Sequence, residues 1–373
     1  MRSIFFCRER SSSGLPIDSR RNSMELSPRS MIGAKALYIR LKYTLLQVIA
    51  RSGFLSAAYY SFLSTAYSRE RRAVAAGLLD HLKRLKTSAS FFNLRRNIHR
   101  IEKGLVMPER RPVFALEYIG ETVTYYLQCL DSCTSPIDRR ELGWATDILR
   151  TYFDTCAAHP IIDEQRARFL AIESADAGTA VPYLRGDQPC PVTAEELLAL
   201  VQRRKSVRVY LDKPVPRELI DQALAIASFA PSSCNRQPTI YRLYDDPELV
   251  RELSLYPLGT AGFADNIPMI CAVTGDLSAY FYERDRHSIY VDGCLSAMLF
   301  MLALETVGLA SCPLNWPEVN SLDRKLEKRL GLPPHERAIM FMAIGYADPQ
   351  GRVAYSEKKS LDQLRSYNWI NSA

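Results

Sequence analysis

The stretch Ala230-Pro231-Ser232-Ser233-Cys234-Asn235-Arg236-Gln237-Pro238 decides how the chain is read. Two prolines fix the backbone, while Ser, Asn and Gln supply hydrogen-bond donors and acceptors in quantity. Such a loop suits the polar edge of a heterocycle; standing alone, it is as readily a polar turn that ends a helix. Upstream, Pro216–Phe229 has helical periodicity with acidic residues near its front. Downstream, Ile240–Tyr244 is a strand candidate and Pro247–Leu253 a short helix. Further on, Pro268–Thr274 (PMICAVT) and Ala338–Tyr346 (AIMFMAIGY) are apolar runs that suit buried strands. Between them lie a long apolar helix, Tyr290–Leu309, ended by Gly308, and a second helix, Leu322–Leu330. Strands alternating with helices imply a central sheet covered by helices, α/β or α+β.

Two other segments accompany the loop. In Arg203-Arg204-Lys205-Ser206-Val207-Arg208-Val209-Tyr210 the extended period of two puts Arg204, Ser206 and Arg208 on one face. Two guanidiniums flanking a hydroxyl suit an anion with several oxygens, although a basic strand start is ordinarily solvated. The other pairs Asp292-Gly293 with Gly308-Leu309-Ala310-Ser311-Cys312-Pro313-Leu314-Asn315-Trp316, which alone reads as core helix plus turn.

In this order and spacing, R-x-S-x-R at 204–208, P-V-P at 214–216, A-P-S-S-x-N-x-Q-P at 230–238, D-G at 292–293, G-L-x-S-C-P at 308–313 and G-Y at 345–346 resemble the nitroreductase family of FMN-dependent oxidoreductases. The resemblance covers about residues 200–370. It implies an α+β fold, a mostly antiparallel central sheet covered by helices, preceded here by an all-α N-terminal region. It implies bound FMN, transient NAD(P)H as reductant and a small conjugated or nitro-type oxidant, exchanged by a ping-pong scheme. It also implies a homodimer whose two subunits share each flavin site. Carried over residue by residue, Arg204, Ser206, Lys358 and Lys359 face the phosphate and ribityl chain. Arg208 faces the pyrimidine edge of the ring, where a cation stabilises the negative charge of the reduced flavin. Asn235 bonds the same edge with Ser233 and Gln237 in support. Pro313 and Leu314 cover a ring face, and the backbone N–H of Asn315 or Trp316 approaches N5. No side-chain acid or base is required, because the flavin carries the chemistry. Two departures bear on the substrate: Thr239 stands where an aromatic is frequent, and the bulky Trp316 where a small residue is common, so an indole beside the ring would narrow the cleft.

The first half has a different texture. Residues 1–30 mix Ser, Arg and Pro without periodicity and are expected to be disordered; Glu9, Asp18 and Glu25 argue against a transit peptide. An apolar helical stretch at 34–67, interrupted by Arg40, Lys42 and Arg51, is too broken to cross a bilayer and is expected to pack in a domain. Helical segments follow at Arg72–Leu85, Val113–Leu130, Arg139–Ala157 and Asp163–Ser174. The expected organisation is an all-α region at 31–177, a Gly/Pro/Asp-rich linker at 178–191 and the flavin domain at 192–373. Within the helical region, Leu94-Arg95-Arg96-Asn97-Ile98-His99-Arg100-Ile101-Glu102-Lys103-Gly104-Leu105 resembles the segment preceding the flavin domain in nitroreductase-like proteins associated with exopolysaccharide synthesis. That likeness supplies a competing reading, a flavin-binding accessory protein of a surface-polysaccharide pathway. Arg95, Arg96 and Arg100 would then dock a partner or bind phosphates.

Composition sets the outer bounds. With 47% hydrophobic and 24% charged residues over 373 positions, wholesale disorder is excluded. Residues 1–110 hold 21 Lys and Arg against 7 Asp and Glu, so the front is basic and the remainder acidic. Salt bridging between the halves accounts for this more simply than a nucleic-acid or membrane surface. Nine cysteines without a C-x-x-C pair point to reduced thiols and a cytoplasmic setting. None of the five histidines lies three or four residues from another, so no helical two-histidine metal face exists. Phosphate-loop, G-x-S-x-G and G-x-G-x-x-G patterns are missing as well.

Overall fold

A computed structural model of the protein describes residues 28–87, 91–132, 136–171 and 178–370. Residues 1–27, which hold most of the expected disordered segment, lie outside it. The chain divides into two compact units, residues 1–65 and 66–373. In the first, α1 (Pro28–Ile49) and α2 (Gly53–Ala58) are followed by a π-helical turn at Tyr59–Leu63. Apolar side chains here, Leu37, Leu41, Phe54 and Phe62 among them, are exposed rather than packed in a domain as expected.

The second unit opens with helices α3 (Ser68–Thr87), α4 (Phe91–Leu105), α5 (Ile119–Asp131), α6 (Pro136–Thr155) and α7 (Pro160–Leu170). Leu94, Ile98 and Ile101 of α4 repeat at helical spacing and meet Val123, Tyr126, Ile148 and Tyr152 in a core of their own. The expected linker at 178–191 lies inside this unit. The backbone N–H groups of Gly178 and Ala180 donate to the Asp147 carboxylate at 2.9 and 3.0 Å, which ties the segment to α6.

After α8 (Ala194–Arg203) and α9 (Arg217–Ala227) come β1 (Thr239–Tyr244), α10 (Pro247–Ser254), β2 (Met269–Asp276), α11 (Ser288–Thr306), β3 (Ala310–Asn315), α12 (Asn320–Leu330) and β4 (Glu336–Gly345). The strands form one antiparallel sheet in the order β1-β2-β4-β3, so the fold is α+β. Strand β3 was unforeseen: residues 308–316 read as a turn in the sequence.

Both faces of the sheet are buried, which explains the unbroken apolar runs of β2 and β4. Met269, Cys271 and Val273 face α9 and α11, while Ile270 and Ala272 face the opposite core with Cys312, Leu314 and Phe341. On β4 the parity slips at Ile339: Ala338 belongs to one core, Ile339 to the other, then Phe341 and Ala343 return to the first. This is a β-bulge, seen as the register shift opposite Val273/Thr274. Helix α11 lies over it. A Cβ on Gly293 would run into Cδ1 of Ile339, so glycine lets the helix approach the bulge.

Gly345 has a similar duty at the end of β4. A Cβ there would stand 2.6 Å from Cγ of Pro268 and 2.8 Å from Cδ1 of Tyr210. Gly345→Ala should therefore cost roughly 1–3 kcal/mol through overpacking. A chemical-denaturation midpoint equal to that of the unaltered protein would contradict this packing.

Candidate functional site

Thr193 and Glu196 form a capping box that starts α8. The helix stops at Arg203, and Arg204 turns to extended backbone. Ser206 then bridges to Ser311, with Val207 N–H donating to Ser311 O at 3.1 Å. The basic segment thereby runs beside β3. Arg204, Ser206 and Arg208 all line a cavity of about 620 Å³, and Lys205 lines it too, so the strict alternation of an extended segment does not hold at its start. Val207 points the other way into the core. The C-terminal segment 354–358 also lines the cavity, which brings Lys358, with Glu357 beside it, to the arginines; Lys359 follows on the surface.

The electrostatics suit an anion. Arg203 is engaged by Glu305 at 3.2 Å. Arg204, its neighbour, is half-buried with an Nε that has no hydrogen-bond partner among the described residues. The hydroxyl of Ser311, fully buried, is in the same condition. A buried guanidinium N–H lacking an acceptor is costly unless a ligand supplies one. The residues thus fit a phosphorylated cofactor such as FMN. Beneath them, burial pushes the Cys312 thiol up, and Arg208, a Ser206 hydrogen bond and Arg204 oppose the shift only in part. A thiol shifted upward supplies less of the thiolate that acts as nucleophile.

Strand β3 divides the other ring-face candidates by alternation. Pro313 and Asn315 lie on the more open side of the strand. Leu314 and Trp316 point into the core with Phe341, whose ring centroid is 5.2 Å from the indole. The Trp316 indole N–H donates to Asp323 at 2.9 Å. The expectation that this indole narrows the cleft is therefore corrected: strand geometry turns it away, and only the backbone of residues 314 and 316 is left for a ligand.

The loop at 230–238 occupies a different place. Cys234, Asn235 and Gln237 all have positive φ, between 52° and 53°, which non-glycine residues adopt uncommonly. The loop is held by α11: Ser233 N–H donates to Oδ2 of Asp292 at 3.0 Å, and the Tyr280 hydroxyl donates to the same oxygen at 2.8 Å. Gln237 donates its side-chain amide to Asn235 Oδ1 at 3.2 Å and its backbone N–H to Ser232 Oγ. Ser233 and Asp292 line a second cavity, of about 350 Å³, with Val291 and Leu295. Arg204, Ser206, Arg208 and Lys358 thus line one cavity and Ser233 another, so within one chain the structure does not bring the two groups together, and Asn235 and Gln237 line neither. Asp292 is a residue the sequence reading left without a role. Burial pushes its carboxyl above the ordinary range, against the pull of Tyr280, Ser233 and Arg236.

Residues 201–260 and 245–346 match the family model described as the Nitroreductase family. Iodotyrosine deiodinase 1 of Rattus norvegicus is 26% identical over 212 residues, covering 48% of this chain and 71% of that protein. The Homo sapiens protein of the same name is 22% identical over 255 residues, 59% of this chain and 84% of its own. A candidate NADH dehydrogenase/NAD(P)H nitroreductase of Archaeoglobus fulgidus is 25% identical over 178 residues, 47% of this chain and 99% of its own. Among solved structures, an FMN-dependent nitroreductase of Clostridium difficile R20291 superposes with a TM-score of 0.40 at 23% identity, over 46% of this chain and 99% of that one.

Proposed function

We propose, from the match of residues 201–260 and 245–346 to the Nitroreductase family model, that the protein is an FMN-dependent oxidoreductase of this kind that takes reducing equivalents from NAD(P)H. It passes them to a small conjugated or nitro-type acceptor in a second half-reaction. The observation that carries this reading is the cavity where Arg204, Ser206, Arg208 and Lys358 converge from distant parts of the chain. Bound FMN would supply the hydride chemistry that no side chain here offers. Arg204 and Lys358 hold its phosphate, with Lys359 nearby and Ser206 donating a hydroxyl bond. Arg208 sits toward the ring and stabilises negative charge on its polar edge. Pro313 and the backbone at Leu314 would lie against the ring, and a backbone N–H of Asn315 or Trp316 would offer a hydrogen bond to it, although none of these four lines the arginine cavity.

Ser233, Asn235 and Gln237 enter from a second copy in a homodimer. Helix α11 motivates that part: its inner side packs on the sheet through Ala297, Phe300 and Leu304, yet Val291, Leu295 and Met298 are exposed on the outer side. A helix apolar all round belongs inside a structure. Leu197, Leu198 and Val201 of α8 add to this apolar surface, and Leu198 and Val201 also line the arginine cavity. Both cavities therefore border surface that a second copy would cover. Leu295→Glu should yield monomers by analytical ultracentrifugation and strip the flavin with them. A wild-type monomer retaining one FMN per chain would refute the shared site.

The decisive experiment is an absorbance spectrum of the purified protein, then anaerobic titration with NADH and NADPH. Flavin bands that bleach with either donor are expected. Flavin that neither donor bleaches would remove the reductase reading and leave the accessory-protein one. The relatives are named for two reactions, deiodination and NAD(P)H nitroreduction, so the acceptor panel pairs nitroaromatics with halogenated phenols. A cytoplasmic location belongs to the same proposal and is checked by cell fractionation.

A further inference from the structure

The segment at 94–105 takes no part in the site above. Arg95 is absorbed by structure, pairing with Glu141 and donating to the Arg236 carbonyl at 3.3 Å. Arg96 and Arg100, one turn apart and so on one face of α4, instead line a cavity of about 310 Å³. Its size is at the small end of ligand pockets. The cavity also takes Arg236, from the loop before β1, together with Glu117 and Glu121.

Arg236 is the unusual member. It is 6% exposed, and neither it, Arg96 nor Arg100 has a carboxylate oxygen within 4.0 Å among the described residues. Its guanidinium lies 5.0 Å from the Tyr280 ring centroid and donates from Nη1 to Ser233 O at 3.2 Å, but its Nε has no partner there. Asp292 acts on Arg236 from beyond ion-pair distance, and a buried cation at a cavity wall with no close ion pair is complementary to an anion that arrives with a ligand. Arg100 stacks on the Tyr118 ring at 3.6 Å, a contact that uses the guanidinium face and leaves its N–H edge to donate. Arg96 donates to Asn97, which in turn donates to Glu121 at 2.7 Å, so the acidic side of the cavity is positioned as well. Burial pushes the His81 ring below the ordinary imidazole range, with Arg236 and Arg96 adding to the shift while the Ser278 carbonyl, bonded to Nδ1 at 2.8 Å, and Asp80 oppose it.

We propose that this cavity binds a small organic oxyanion, a carboxylate or phosphate held by Arg96, Arg100 and Arg236, with the ligand's hydroxyl or ammonium groups held by Glu117 and Glu121. The inference rests on residues outside the arginine cavity of the flavin reading and stands without that reading.

The test is thermal unfolding of the full chain against inorganic phosphate and, separately, lactate, each compared with chloride at matched ionic strength. A ligand that binds only the folded state raises Tm in a saturable way. A saturable rise is expected with at least one anion, and the responding anion identifies the class. In Arg96→Gln/Arg100→Gln the apparent dissociation constant should increase about 10-fold or more, the loss of charge-assisted hydrogen bonds. Where the double variant does not fold, Arg100→Gln alone serves, since Arg100 is only partly buried. Lys328→Gln, at an exposed side chain outside both cavities, should leave the response intact. No saturable rise with either anion, a rise unchanged in the arginine variants, or a rise that vanishes in Lys328→Gln would each overturn the proposal.

Discussion

Replacing Arg204 with alanine should loosen FMN by roughly 10- to 150-fold, the equivalent of one charge-assisted hydrogen bond worth about 1.5–3 kcal/mol. Arg204 is singled out over its neighbours by its partners. Arg203 is paired with Glu305, and Arg208 reaches the Ser206 carbonyl from an exposed position. Arg204 is half-buried at the cavity wall with Nε lacking an acceptor. Arg204→Lys would keep the charge and lose the planar fork, so its affinity should fall between the two. The measurement is a dissociation constant from flavin fluorescence quenching on protein stripped of FMN and reloaded. Dissociation constants within a factor of two across all three proteins would mean that the phosphate lies elsewhere, and the cofactor assignment would fall with it.

The sequence was most informative where one physical demand dominates a segment. Strands β2 and β4 are buried on both faces, so PMICAVT and AIMFMAIGY announce themselves as continuous apolar runs. The basic segment at 204–208 was legible only in part: Val207 turns into the core as alternation requires, but Lys205 lines the cavity with its neighbours. Strand β3 escaped because it begins two residues after Gly308, contains Pro313, and buries the small polar Ser311 among its apolar residues. Pro313 is tolerated because β3 is an edge strand, an attribute of the sheet order rather than of local sequence. Misreading that stretch also misplaced the Trp316 indole, since the side a side chain faces follows only once the strand is known. Helix α8 was legible in principle, as Thr193 and Glu196 have capping-box spacing. The cavity of Arg96, Arg100 and Arg236 was not: it joins residues 140 positions apart, and no periodicity reports on such a distance. The resemblance of residues 94–105 pointed to the arginines, yet only packing separates Arg95, spent on Glu141, from the two that face open space.

Asp292→Ala is expected to be the most damaging single change in the flavin domain. The carboxylate is 4% exposed and one oxygen accepts both Ser233 N–H and the Tyr280 hydroxyl. Truncation leaves two buried donors without an acceptor, at roughly 1–3 kcal/mol each. It also removes the negative charge that acts on the buried Arg236. Asp292→Asn retains an acceptor oxygen and should lose much less, which separates hydrogen bonding from charge. The pH dependence distinguishes them further. Burial raises this carboxyl above its ordinary 3.8, so the folded state holds the proton to higher pH than the unfolded chain does. Stability conferred by the neutral form is complete below 3.8 and is lost as pH rises through the folded value. Asn cannot titrate, so Asp292→Asn should flatten that part of the stability profile. The alanine variant should also bind FMN poorly even where it stays folded, because the positive-φ backbone at Cys234, Asn235 and Gln237 is held in place through Ser233. Denaturant midpoints measured from pH 3.5 to 7 on the three proteins decide the matter. Equal stability of Asp292→Ala and wild type throughout would show that the loop is anchored by something other than this carboxylate.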